Sequence, residues 1–228
     1  LDTNGATDVY LRDLQGGTTT LVSLNSTGTA SGNGSSSDSG GPALTADGRF
    51  VAYVSLANDL VAPGLDTNRI QDVFLRDLQS STTTLASLYS SGAASGNDSS
   101  ASSERAPALS ADGRFVAFES EASDLVTPGL DTNTATDLYV RDLQSGTTTL
   151  VSINSAGTCF GLASSVSVRT TGTSAFGWRG SRKKVWTRVP SGMPSPAISG
   201  EVGIQAPLGV NDAIERWSST APTYTVPR

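Results

Sequence analysis

Histidine is absent from this chain, and cysteine occurs once, at Cys159. The first absence removes every Ser-His-Asp or Cys-His arrangement for nucleophilic catalysis, however many serines are present. The second removes an intramolecular disulfide and any cysteine-based metal site, and it leaves the redox compartment open. Charged residues make up 16% and aromatics 6% of the 228 residues, while Gly, Ser and Thr abound. That balance favours short strands and turns over helices. No apolar run reaches the roughly 18 residues of a membrane-spanning helix. Lysine is missing from residues 1–159, where 7 Arg face 18 acids for a net −11. Residues 160–228 reverse the sign, with 8 Lys+Arg against 3 acids, a net +5. The acidic body argues against nucleic acid as a partner and suits a cation-binding surface. The sequence lacks an initiating Met and begins within a repeat, so it reads as a piece of a longer protein. The missing export signal therefore carries no weight.

What is present is repetition. The stretch Leu-Asp-Thr-Asn-Thr-Ala-Thr-Asp-Leu-Tyr-Val-Arg-Asp-Leu at 130–143 has earlier copies at 65–78 and 1–14. Their first aspartates, Asp2, Asp66 and Asp131, are 64 and 65 residues apart. Pro-Ala-Leu-x-Ala-Asp-Gly-Arg-Phe-Val-Ala recurs at 42–52 and 107–117, and Thr-Thr-Thr-Leu starts at Thr18, Thr82 and Thr147. A fixed period of this kind marks an array of supersecondary units. Each complete unit reads as four short strands. Asp47-Gly48 and Asp112-Gly113 join the first two, since Asp-Gly tolerates positive φ at both turn positions. Phe-Val-Ala-Tyr at 50–53 and Val-Phe-Leu at 73–75 are apolar on both faces, which predicts sheets stacked on other sheets. The expected fold is all-β, a partial β-propeller of four-stranded antiparallel blades of about 64–65 residues. Residues 1–40 would be the second half of a blade, with full blades at 41–104 and 105–159.

The block Pro-Ala-Leu-Ser-Ala-Asp-Gly-Arg-Phe-Val-Ala-Phe followed by Asp-Leu-Tyr-Val-Arg-Asp-Leu resembles the TolB-type, WD-like β-propeller repeat of bacterial periplasmic and secreted proteins. The resemblance covers residues 1 to about 155. It implies one blade per unit, with a longer loop between second and third strands than in the plainest members. It also implies a periplasmic or extracellular location. The family is mostly a binding scaffold, though some members are attached to peptidases or related to polysaccharide lyases. Propellers close with about four to eight blades, so a ring needs remaining blades or other copies as partners. The function expected is a non-catalytic, exported binding or surface scaffold for a protein or carbohydrate ligand. The alternatives are the propeller part of a larger hydrolase or polysaccharide lyase with its active site elsewhere, and an adhesin-like array without a ligand.

Residues 160–228 break the pattern, and Trp178-Arg-Gly-Ser-Arg-Lys-Lys184 has no counterpart earlier. Back-translation displaced by one nucleotide turns Trp186-Thr187 into an obligatory Asp codon, and Gly192-Met193 permits another six positions on. That is the spacing of Asp131 and Asp137. The tail is expected to be a frame-displaced blade; a genuine extension with strands near 164–171 and 202–206, or a disordered segment, are the alternatives.

Three constellations are candidates for chemistry. Asp66-x-Asn68-x3-Asp72 recurs as Asp131/Asn133/Asp137 and Asp2/Asn4/Asp8. Hard oxygen donors clustered before a strand suit calcium, with further ligands from backbone, water, or a neighbouring loop at Asp59 or Asp124. The same residues would serve equally as Asx turns that order the loop. The neighbours Arg76-Asp77, with Arg12-Asp13 and Arg141-Asp142, point to opposite faces of a strand and are expected to pair across blades or face water. Glu119 and Glu121 replace Val54 and Leu56 and are expected at the surface. No cofactor other than calcium is indicated.

Overall fold

The computed structural model describes residues 2–38, 40–101, 106–154, 157 and 159, with the backbone of three later strands. Among the described residues there is no helix, and so none long and apolar enough to cross a membrane. Strands β1 (Tyr10–Asp13) and β2 (Thr18–Leu21) pair as a two-stranded sheet. Strands β3 (Ala43–Leu44), β4 (Phe50–Ser55), β5 (Asp72–Asp77) and β6 (Thr82–Leu85) form an antiparallel sheet in that order. Strands β7 (Ala108–Leu109), β8 (Phe115–Ser120), β9 (Asp137–Asp142) and β10 (Thr147–Leu150) repeat it. Sequential four-stranded meanders of this kind are propeller blades. A fourth sheet, β11 (Val166–Thr170), β12 (Phe176–Gly180) and β13 (Lys184–Thr187), lies beside β7. Strand β11 falls within the 164–171 stretch read from the sequence, while 202–206 lies outside the described residues.

The first hairpin of each blade departs from the two-residue turn expected. Only Gly48 (φ 74°) and Gly113 (φ 71°) take positive φ; the preceding aspartates do not. Gly48 N–H donates to Thr45 O at 2.9 Å, and Asp47 Oδ1 accepts from the Thr45 hydroxyl at 2.6 Å and Arg49 N–H at 3.0 Å. The aspartate orders the loop through its carboxylate, and one left-handed glycine closes it. Arg49 then forks onto Asp77 at the far end of β5, Nε to Oδ1 at 3.0 Å and Nη2 to Oδ2 at 2.7 Å. Arg114 and Asp142 repeat the pair at 2.9 and 2.6 Å. The aspartates therefore pair inside their own blade and not across blades. Their partner is the arginine just before the second strand, next to the Phe50 or Phe115 that the antiparallel register sets opposite the aspartate.

The central strands of the second unit are apolar on both faces because that blade is covered on both sides. One face of the second unit (Val51, Tyr53, Phe74, Leu85) packs on Val9, Val22 and Leu11 of the first. Its other face (Ala52, Val54, Val73, Leu75) packs on Val116, Phe118 and Tyr139 of the third. Cross-strand ring pairs reinforce each blade: Tyr53–Phe74 centroids are 6.0 Å apart and Phe118–Tyr139 centroids 6.1 Å. Phe50 reaches the next blade, where a Cβ on Gly113 would come within 2.3 Å of its ring.

Crossing segments join successive units and are held from both sides. Ser26 N–H donates to Asp59 O and Asn33 N–H to Asp59 Oδ1, at 2.6 and 2.9 Å. Ser90 and Asn97 repeat these bonds with Asp124 at 2.8 and 3.0 Å. Gly32 and Gly96 sit where a Cβ would lie 2.6 Å from Leu60 and 2.7 Å from Leu125. The third copy keeps the turn, with Gly157 N–H on Asn154 O as Gly28 N–H is on Asn25 O, and then slips by one residue. Thr3 and Thr67 N–H donate to Ser31 and Ser95 Oγ, and Thr132 N–H to Cys159 Sγ at 3.1 Å. Cys159 takes that place one residue early: by the repeat, Phe160 matches Ser31 and Ser95, and Gly161 matches Gly32 and Gly96.

Candidate functional site

Each Asp-x-Asn-x3-Asp segment enters the third strand of its blade: Asp72 and Asp137 begin β5 and β9, whose interiors are buried, and Asp8 lies two residues before β1. That placement decides the chemistry of the last aspartate. Asp72 and Asp137 have no exposed surface. In every copy a serine from the end of the fourth strand meets this aspartate: Ser23 donates to Asp8, Ser87 to Asp72 and Ser152 to Asp137. The same Oγ accepts the N–H of the following residue, Val9, Val73 or Leu138, at 3.0–3.1 Å. These serines were missed in the sequence, although each stands two places after Thr-Thr-Thr-Leu, 15 residues beyond its aspartate. The other carboxylate oxygen, Oδ2 of Asp8, Asp72 and Asp137, is buried without a hydrogen bond.

The central asparagine is a structural hinge in the loop. Asn4, Asn68 and Asn133 Oδ1 accept the N–H two residues on, at 2.8, 3.0 and 2.8 Å, which are Asx turns. Asn4 and Asn68 also donate from Nδ2 to the carbonyls of Gly32 and Gly96, at 2.6 and 2.8 Å. Asn133 Nδ2 has no partner.

The first aspartate separates the copies. Tyr10 donates to Asp2 Oδ2 at 2.7 Å, and Tyr139 donates to Asp131 Oδ2 while lying 3.1 Å from the Ala122 carbonyl. The bond to Asp2 raises Tyr10 to about 12. In the second copy the corresponding ring is Phe74, which has no hydroxyl to give. Asp66 is 7% exposed and neither of its oxygens makes a hydrogen bond. Burial raises Asp66 to about 6, offset in part by the nearby Arg69 amide. Burial also raises Asp72, to about 7; Ser87 and the nearby Asn68 side chain oppose this, while the charges of Asp66 and Asp124 add to it. Asp8 and Asp137 shift in the same direction, chiefly by burial.

Asp59 and Asp124 each accept an N–H of the crossing segment on Oδ1. Among the described residues no three His, Cys, Asp or Glu side chains form a metal-binding group. Any ion in these loops would be held by at most two carboxylates.

The remaining candidates fall to structure. Arg12, Arg76 and Arg141 lie along the third strand and donate to Thr19, Thr83 and Thr148 on the fourth at 2.9, 3.1 and 3.1 Å. Burial lowers Arg141. Arg49 and Arg114 hold Asp77 and Asp142 well below the usual carboxylate range. Glu119 is not at the surface: it is 8% exposed, next to last in β8 and opposite Leu138, in a strand buried along its whole length. Glu121 is exposed, as expected.

No family model and no curated protein matches the chain. Among solved structures it is similar to TolB from Acinetobacter baumannii, at 17% identity and a TM-score of 0.40, over 82% of this chain and 33% of that one. It is also similar to the β-propeller domain of the Trilobed protease from Pyrococcus furiosus, described as having an open velcro topology. That match has 11% identity and a TM-score of 0.41, over 78% of this chain and 44% of that one. The chain thus spans under half the length of either. Repeat, strand order and register already define the blades independently of these likenesses, and no ligand or chemistry transfers from them.

Proposed function

We propose that the chain is a non-catalytic run of propeller blades acting as an exported binding or surface scaffold. One observation carries this reading. The recurring polar residues of the loops are engaged in holding the crossing segments: Asn68 bonds Gly96 O within its own unit, and Asp124 of the following unit holds both Ser90 and Asn97. Such a loop layer presents its exposed residues on a rigid support, which lowers the ordering cost of binding. Export rests on the TolB-type resemblance of the repeat. The test is to present the chain to immobilised glycans and peptides, and separately to peptide and uronic-acid polymer substrates. Saturable binding without turnover is expected. Cleavage of either polymer class would instead favour the hydrolase or lyase reading.

The same proposal treats residues 160–228 as another blade read in a displaced frame. Support comes from the boundary in the sequence, since Gly161 still matches Gly32 and Gly96 while Leu162 stands where the earlier copies have Asn33 and Asn97. Translating the gene in all three frames tests it: a stop codon, or no second Asp-x-Asn block, sinks the idea.

A further inference from the structure

We propose that the second unit, unlike the copies on either side of it, holds a hard divalent cation between Asp66 and Asp72. The argument starts from a difference within one molecule. Three loops share a sequence pattern and an Asx turn, so loop geometry is a constant. What varies is the group facing the first aspartate. A tyrosine hydroxyl satisfies Asp2 and Asp131, whereas Phe74 leaves both oxygens of Asp66 bare at 7% exposure. Asp72 Oδ2, fully buried, makes no hydrogen bond of good geometry either, the Asn68 amide being its polar neighbour within the loop.

Buried carboxylate oxygens without donors are costly, and each calls for a proton or a cation. Among the described residues neither Asp66 nor Asp72 forms an ion pair. Asp124 of the following unit adds negative potential at Asp72 without giving up its own bond to Asn97 N–H. Three carboxylate oxygens are a partial shell for an ion that takes six to eight oxygens, so water must supply the rest. The chemistry therefore suits calcium, or magnesium keeping most of its water, at an affinity of roughly 0.1–1 mM. Tyrosine at the position of Phe74 would fill the cation's place with a proton donor, as it does at Asp131.

The experiment uses the whole chain, stripped with a chelator and titrated with calcium chloride or magnesium chloride by calorimetry and thermal melting. One ion per chain is expected, with the melting temperature rising by roughly 3–6 °C at ten times the dissociation constant. Phe74→Tyr and Asp66→Asn should each weaken the response at least ten-fold, and Phe74→Tyr should melt higher than the wild type when no ion is present. Asp2→Asn should leave the response intact. An absence of heat and melting shift up to about 10 mM of either ion, well above the affinity expected, overturns the proposal. So does a response that survives Asp66→Asn, or one lost equally through Asp2→Asn. A chelated wild type that responds only to falling pH would show that a proton, not a cation, occupies the pair.

Discussion

One oxygen atom separates Tyr139 from Phe74, which hold the same place in successive units. Removing it from the third unit should create there the condition found in the second. Tyr139→Phe leaves Asp131 Oδ2 buried without its donor, and a loss of about 1–3 kcal/mol is expected from the denaturant midpoint. Ser87→Ala acts on two groups at once, since Ser87 donates to Asp72 and accepts from Val73 N–H. It should cost a similar amount, about 1–3 kcal/mol, by the same measurement. At this scale the sequence was only partly legible. Three identical Asp-x-Asn patterns gave no sign that Phe74 makes one of them different, because the deciding ring lies on the strand beyond the loop. Ser23, Ser87 and Ser152 were hidden for the same reason: they come from the neighbouring strand, 15 residues away in sequence.

Within a blade, the fork between Arg114 and Asp142 ties the start of β8 to the end of β9. Asp142 lies below its unfolded value, so its contribution is present above about pH 4 and is lost as pH falls further. Asp142→Asn should therefore lower the melting temperature at pH 7, and the gap to wild type should close in acid. Asp77→Asn should do less, because Arg49 is 42% exposed where Arg114 is 17%. The strands were legible in number and order, since Phe-Val-Ala and Thr-Thr-Thr-Leu recur with turn residues between them. The Asp-Gly turn was legible as a turn but not as a type, because Asp47 works through its carboxylate and not its own backbone angle. Glu119 was misplaced because its strand is buried along its whole length, which no local pattern announces.

Across the molecule, stability depends on units meeting. Gly96 faces Leu125 and Ala122 of the next unit, and a Cβ on it would lie 2.7 and 3.0 Å from their side chains. A methyl group there must push the units apart. Gly96→Ala is expected to cost about 1–3 kcal/mol, read from thermal or denaturant melting. The contact between Phe50 and Gly113 has a further consequence. Phe50 stands beside the Asp-Gly turn of its own unit, and its ring presses on the glycine of the unit after it. Gly48 in the second unit has nothing within 4 Å, while Phe115 in the third is turned to the far side with Ala117. Units built this way join in one polarity, head to tail, and a reversed neighbour would set ring against ring. Gene duplication can therefore lengthen such an array in register, but a unit inserted backwards has no seat.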